Sequence, residues 1–359
     1  MLKKNTNSRS ANIDILRLVA MFFIVVSHYV IYNSISSSEL PLGINKLVFQ
    51  LSDLGGLGVT IFVVISGYLL CESTFKLRRI ISLELQALFY SVVFFVIFVA
   101  LGKKSLSLEN VVNNIFSFST NNYWFITTYI IFSFFVPFIN RMINGLSQKS
   151  FLIFLSILSF FVAVLPLITF NKFPAYSNFG GLGQFLTYYC FGAYMRKYPN
   201  SLLKKYRYWI CASMVIILIT SVVVFDLIGF AEHSSYLYVR GSIIVVCLAA
   251  SLVEIAVESK PISSKFISTL GVSTLGVYFI HEHPFVRDYL WTELFDNSAY
   301  DNSARILLHF FISCVIVFVG CLVIDCVRNL FLGRFESTVS NKLSNVITTL
   351  FNHIKEKLF

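Results

Sequence analysis

Apolar runs follow one another along this chain, each closed by a short polar or charged stretch, at about 13–34, 47–71, 80–101, 122–143, 151–170, 181–195, 209–229, 236–257, 266–283 and 304–326. A helix rises 1.5 Å per residue, so about 20 apolar residues cross a hydrocarbon core roughly 30 Å thick. The pattern therefore predicts an all-α polytopic bundle of about ten transmembrane helices. The run at 181–195 is short and needs tilt or extension at either end. The polar stretch 105–120 predicts a surface loop or an interfacial helix. Residues 327–359 read as a basic amphipathic tail carrying Arg328, Arg334, Lys342, Lys355 and Lys357. No internal repeat or soluble domain interrupts the series, so residues 1–359 are expected to form a single membrane domain, of open oligomeric state.

Composition agrees with the pattern. Only 13% of the residues are charged and 57% are hydrophobic, where soluble domains carry about 25% charge. The net charge of +10 would suit nucleic acid if it formed a basic domain, but the cations lie in short clusters between apolar runs, so no nucleic-acid partner is expected. With the N-terminus inside, 21 lysines and arginines fall in cytoplasmic segments and 7 outside. This positive-inside bias predicts both termini in the cytoplasm and an even number of spans. Lys3 and Lys4 ahead of an apolar run resemble a signal peptide only superficially. Arg17 and His28 lie inside the run and no small-residue cleavage site follows, so an uncleaved first span is expected. The seven cysteines make no CxxC pair and read as packing residues, without disulfide or metal framework.

Ionisable groups inside a span face a cavity or a partner, because lipid does not solvate them. Arg17 and His28 are eleven residues apart, which returns to within about 20° of the same helix face about 16 Å further along the axis. Arg17 thus belongs at the cytoplasmic boundary, with Asp14 able to pair with it, and His28 lies beyond mid-bilayer. A snorkelling arginine and a histidine satisfied by a neighbouring helix would read the same way. His281-Glu282-His283-Pro284 closes the ninth run, followed by Arg287. The two histidines point to different faces of a helix and no third ligand is evident in the spacing, so no metal site is expected.

Several words in this chain resemble the acyltransferase-3 family of membrane acyltransferases. Arg17 and His28 within ILRLVAMFFIVVSH resemble its opening motif, and Phe62-Val63-Val64-Ile65-Ser66-Gly67-Tyr68-Leu69 its FFxxSGYL stretch. Arg78-Arg79 is similar to the basic loop that follows, Asn122-Tyr123-Trp124-Phe125 to a WFL entry, and Tyr189-Cys190-Phe191-Gly192 to a YFxxG segment. Gly276-Val277-Tyr278-Phe279-Ile280-His281 resembles the late GIYLIH motif. The words occur in order over residues 13–283. The sequence departs from the pattern in lacking the doubled Phe of the second span, in Thr60 where many relatives have Asp, and in an arginine pair without a longer RxxR run. No esterase-like domain follows the last span, which leaves the acceptor to the membrane domain or a partner.

The resemblance implies transfer of an acyl group, commonly acetyl, from cytoplasmic acyl-CoA as co-substrate to a hydroxyl of a cell-surface glycan or lipid-linked sugar, in a bacterial inner or cytoplasmic membrane. No permanently bound cofactor is implied. Imidazole suits removal of a hydroxyl proton, so His28 is the expected general base or a transient acyl carrier, and Arg17 orients the donor or stabilises negative charge. Lys76, Arg78 and Arg79 are the candidates for the CoA phosphates, although topology alone also places cations there. Ser66, Tyr123, Trp124, His281, Glu282 and Arg287 are the candidate acceptor or channel residues. Ser66 and Gly67 also suit close helix packing, and Tyr123 and Trp124 an aromatic belt. A glycan or small-solute exporter is the alternative that the same spans and charges allow, with a sugar polymerase further behind for want of a large outer loop.

Overall fold

The computed structural model describes residues 11–37, 39–116, 123–169, 174–199, 202–230, 234, 236–238, 241–300 and 304–358. Lys3, Lys4, Arg9, Asn122, Lys172 and Arg240, which entered the expectations above, lie outside the described residues. Fifteen α-helices occur among the described residues, and no strand: α1 Ala11–Tyr32, α2 Ile44–Leu51, α3 Gly55–Leu70, α4 Leu77–Ala100, α5 Leu108–Ile115, α6 Trp124–Gly145, α7 Gln148–Ser159, α8 Leu165–Ile168, α9 Pro174–Lys197, α10 Leu202–Leu227, α11 Ile243–Glu258, α12 Lys265–Val272, α13 Thr274–His281, α14 Pro284–Tyr289 and α15 Ala304–Leu358. A π-helical turn, Phe160–Val164, joins α7 to α8. Serines cap four of the helices: the side chains of Ser107, Ser147, Ser242 and Ser264 each accept a first-turn N–H, satisfying donors that a helix leaves free. Gly102, at φ 69°, ends α4 in the left-handed conformation that glycine enters without steric cost.

Among the described residues, seven helical segments are long and apolar enough to cross a membrane: Ala11–Tyr32, Ile44–Leu70, Leu77–Ala100, Trp124–Gly145, Gln148–Ile168, Leu202–Leu227 and Ala304–Leu350. The other three expected spans are helical too, as α9, α11 and the pair α12–α13. The second span is broken between α2 and α3 at Ser52, Asp53 and Leu54, and the ninth at Ser273. The segment after residue 326, expected as a basic amphipathic tail, continues the last span as helix. α15 runs unbroken for 55 residues, about 80 Å at 1.5 Å per residue, because no glycine–proline stop follows the span. Arg328, expected among the tail's basic residues, is buried at 6% exposure. It donates to Asp325 at 2.8 Å and pairs with Glu336.

α1 and α3 form the centre. α1 packs against α3, α11, α12, α13 and α15, burying Ala20, Met21, Ile24 and Val25. α3 is buried almost throughout from Leu57 to Ile65, as an all-round apolar helix must be. Its closest neighbour is α9, and small residues set that contact. A methyl group on Gly67 would overlap the Tyr189 carbonyl oxygen, and one on Gly192 the Val64 carbonyl. Two of the family-like words are therefore the two faces of one close helix contact. Gly276 does the same for α13 and α15, where a methyl group would overlap the Asp325 carboxyl. That carboxyl accepts from Tyr90, Arg328 and Asn329, so burial leaves it paired and hydrogen-bonded.

Candidate active site

Two sites lie one above the other along α1. At the Arg17 end is a cavity of about 520 Å³, within the range of small-molecule sites. Arg17, Lys76, Arg78 and Arg79 line it, together with Ser66 and Ser82. Phe62 from α3, Phe125, Ile126 and Tyr129 from α6, and Thr274 and Leu275 from α13 form its apolar part. A side pocket of about 60 Å³ shares Lys76, Arg79, Leu83 and Tyr129 with it. Four of the cations singled out in the sequence thus meet around one space, opposite an apolar wall. Arg17 is held by Asp14 at 3.0 Å, as the spacing of three predicts. Asp14 packs where Gly271 leaves room, since a Cβ there would come within 2.6 Å of it. Arg78 donates to Ser337 of the long α15 at 2.9 Å, a contact with no local signal in the sequence. Ser66 Oγ donates to the Phe62 carbonyl at 2.9 Å and meets the Tyr129 hydroxyl at 3.1 Å.

The second site is at the other end of α1's polar face. His28 Nδ1 lies 3.0 Å from His281 Nε2 and 3.0 Å from Glu282 Oε2, the latter off the hydrogen-bond direction. His281 Nδ1 lies 2.6 Å from the Val277 carbonyl oxygen. A carbonyl only accepts, so His281 carries its hydrogen on Nδ1 and its Nε2 is a lone pair. His28 therefore donates from Nδ1, and its own Nε2 is left as a lone pair able to take a proton. The network imposes this tautomer. Glu282 Oε1 accepts from Tyr32 and Arg287, each at 3.4 Å, and the Arg287 guanidinium stacks over the Tyr32 ring at 4.6 Å. His28 is 12% exposed and Glu282 4%, so a positive charge arising on the imidazole would face a carboxylate in a poorly hydrated setting, where attraction is strong.

The structure brings His28, His281, Glu282 and Arg287 together and separates them from the cation-lined cavity. His281 and His283 diverge as expected. His283 Nδ1 accepts from the Phe285 amide and its Nε2 donates to Asn114 Oδ1 at 3.1 Å. The fold forms a different set that leaves His283 out: ligand atoms of His28, His281 and Glu282 lie within 4.8 Å of one another, close enough to hold a metal ion. Within that set His28 Nδ1 and His281 Nε2 are already joined by a hydrogen bond, so these two atoms satisfy each other as they stand. Tyr123 is buried at 1% exposure, not in an outer belt, and donates to the Phe279 carbonyl at 3.1 Å. Trp124 is half-buried and packs edge-on against Phe125. The Tyr123 hydroxyl is thus engaged with the α13 backbone, not with the His28–His281 pair. Tyr32, which the sequence did not single out, donates to Glu282 beside that pair.

A helical bundle with an anion-accepting cavity at one end of a central helix and a buried proton-accepting cluster at the other defines a multi-pass membrane protein with enzyme-like polar sites. The profile of the acyltransferase-3 family, an acyltransferase domain, matches residues 10–326. The chain belongs to that family and is a membrane acyltransferase. No curated protein and no solved structure gives a significant match to it.

Proposed function

We propose that this protein moves an acyl group, acetyl by preference, from cytoplasmic acyl-CoA to a hydroxyl of a cell-surface glycan or lipid-linked sugar. It does so in a bacterial cytoplasmic membrane, crossed ten times with both termini inside. One observation carries the reading: a cation-lined cavity of about 520 Å³ and a histidine with a free Nε2 share one helix. CoA brings a diphosphate and a ribose phosphate, which Lys76, Arg78 and Arg79 are placed to bind by charge-assisted hydrogen bonds. Arg17 holds the donor where the cavity turns apolar, and the pantetheine arm follows the wall of Phe62, Phe125 and Leu275.

His28 acts as the general base. Its Nε2 takes the acceptor hydroxyl proton as the hydroxyl oxygen attacks the thioester carbonyl carbon. The C–O bond forms, the C–S bond breaks, and the proton passes on to the thiolate sulfur, giving ester and free CoA. His281 fixes the tautomer of His28, and Glu282 balances the imidazolium, the division of labour seen in hydrolase triads. Tyr32 and Arg287 hold Glu282 and form the acceptor side.

Membranes containing the protein, supplied with acetyl-CoA labelled in the acetyl group and with the producer's glycan, are expected to place label in the glycan as an alkali-labile ester. Membranes without the protein should not. Absence of label with the inserted protein and the cognate glycan both present would overturn the reading.

A further inference from the structure

Between the end of the donor cavity and the histidine pair stands a side chain to which the chemistry above gives no task. α13 climbs past both sites. Thr274 and Leu275 line the cavity, Tyr278 comes one turn later, and His281 and Glu282 one turn after that, since residues three and four apart share a helix face. The Tyr278 ring packs edge-on against Phe125 of the cavity wall, 5.9 Å between centroids, and against His281 at 6.3 Å. Tyr278 is 3% exposed.

Its hydroxyl makes no hydrogen bond. The Phe125 backbone amide approaches the hydroxyl oxygen, and no acceptor takes the hydroxyl hydrogen. That amide belongs to the first turn of α6, where N–H groups have no acceptor within the helix and the helix dipole favours negative charge. The neighbouring hydroxyls are occupied: Tyr123 donates to Phe279, Tyr32 to Glu282 and Ser66 to Phe62. An unpaired buried hydroxyl is costly, and a group kept in that state calls for a partner that arrives with the ligand.

We propose that Tyr278 is a catalytic residue that donates its phenolic hydrogen to the acyl carbonyl oxygen, with the Phe125 amide beside it, where the carbonyl passes from cavity to histidine pair. This rests on the donor and base assignments made above. As the acceptor oxygen attacks the carbonyl carbon, the carbonyl electron pair moves onto oxygen and the Tyr278 O–H and the Phe125 N–H meet that charge. When the pair returns, the C–S bond breaks and the thiolate leaves. Tyr278 keeps its proton throughout, so the balance of the transfer is unchanged.

The test uses the full-length protein in lipid nanodiscs with acetyl-CoA carrying a ¹³C carbonyl, in wild type and Tyr278→Phe, which removes the hydroxyl and keeps the ring. Isotope-edited infrared spectra are expected to show the bound carbonyl band at lower wavenumber in wild type than in Tyr278→Phe. Acetyl-CoA affinity should agree within about twofold, and the transfer rate should fall about 100-fold, the effect of losing one oxyanion donor. Equal bands together with equal rates in the two proteins would overturn the role of Tyr278 and leave the donor assignment intact. Failure of wild type to bind acetyl-CoA saturably would overturn the donor assignment and this proposal with it.

Discussion

Replacing Glu282 by glutamine removes one negative charge from the histidine cluster and alters little else, because the side chain keeps its size and its Oε1 can still accept from Tyr32 and Arg287. In wild type the carboxylate oxygen is 3.0 Å from His28 Nδ1, which puts the charge centres about 4 Å apart once His28 is protonated. At an effective dielectric near 20 that attraction is worth about 4 kcal/mol. Arg287, 3.4 Å from the other carboxylate oxygen, takes up part of it, and halving the term leaves about 2 kcal/mol. At 1.36 kcal/mol per tenfold, kcat should fall between about 30-fold and 1,000-fold. The KM for acyl-CoA should stay within about twofold, because the lost interaction forms only as the proton is transferred. Initial rates of label transfer in membranes with matched protein levels measure both. A Glu282→Gln protein with kcat within about threefold of wild type would refute the argument that Glu282 supports the imidazolium.

Arg79, which lines both the cavity and its side pocket, should on change to alanine raise the acyl-CoA KM about tenfold at low salt and less at high salt, since exposed charge contacts are screened. Equal KM values at low salt would remove it from the donor site. Gly192→Ala drives a methyl group into the Val64 carbonyl, so the α3–α9 contact should open at a cost of about 1–3 kcal/mol or more, read as a lower thermal aggregation temperature in detergent. An unchanged temperature would mean that the two helices are not locked there. Prolonged treatment with a divalent-metal chelator should leave transfer unchanged, because His28 and His281 already satisfy each other. Loss of activity restored by added zinc would instead assign the cluster as a metal centre.

Much of the helix series was legible because lipid-spanning segments must be long and apolar, a pattern that survives without any knowledge of contacts. The first helix was read at 13–34 and lies at Ala11–Tyr32. Breaks within spans were not visible, since Ser52–Leu54 and Ser273 interrupt the helices without glycine or proline. Val327, Phe331, Phe335, Val339 and Leu343 continue the apolar spacing past the span, and the Asp325–Arg328–Glu336 contacts join the start of the amphipathic tail to it.

At the site, the shared face of Arg17 and His28 followed from helical periodicity, whereas His281 and His283 diverge because α13 ends at His281 and His283 caps α14. The meeting of His28 with His281, 253 residues apart in sequence, has no local signature. It depends on α13 packing against α1, and only the family resemblance linked the two words beforehand. Tyr32 and Tyr278 escaped notice because tyrosine near a span boundary or inside an aromatic-rich run looks like packing until its hydroxyl is followed. Tyr123, a candidate acceptor or channel residue that an aromatic belt would also explain, is a core residue.

Transfer of labelled acetyl from acetyl-CoA into the glycan, compared between wild type and His28→Ala at equal membrane levels, tests the central claim most directly. The account predicts label with wild type and none above background with His28→Ala, while acetyl-CoA binding persists because the cation-lined cavity lies about 16 Å along α1 from His28. Undiminished transfer by His28→Ala would contradict the account and remove His28 from the chemistry.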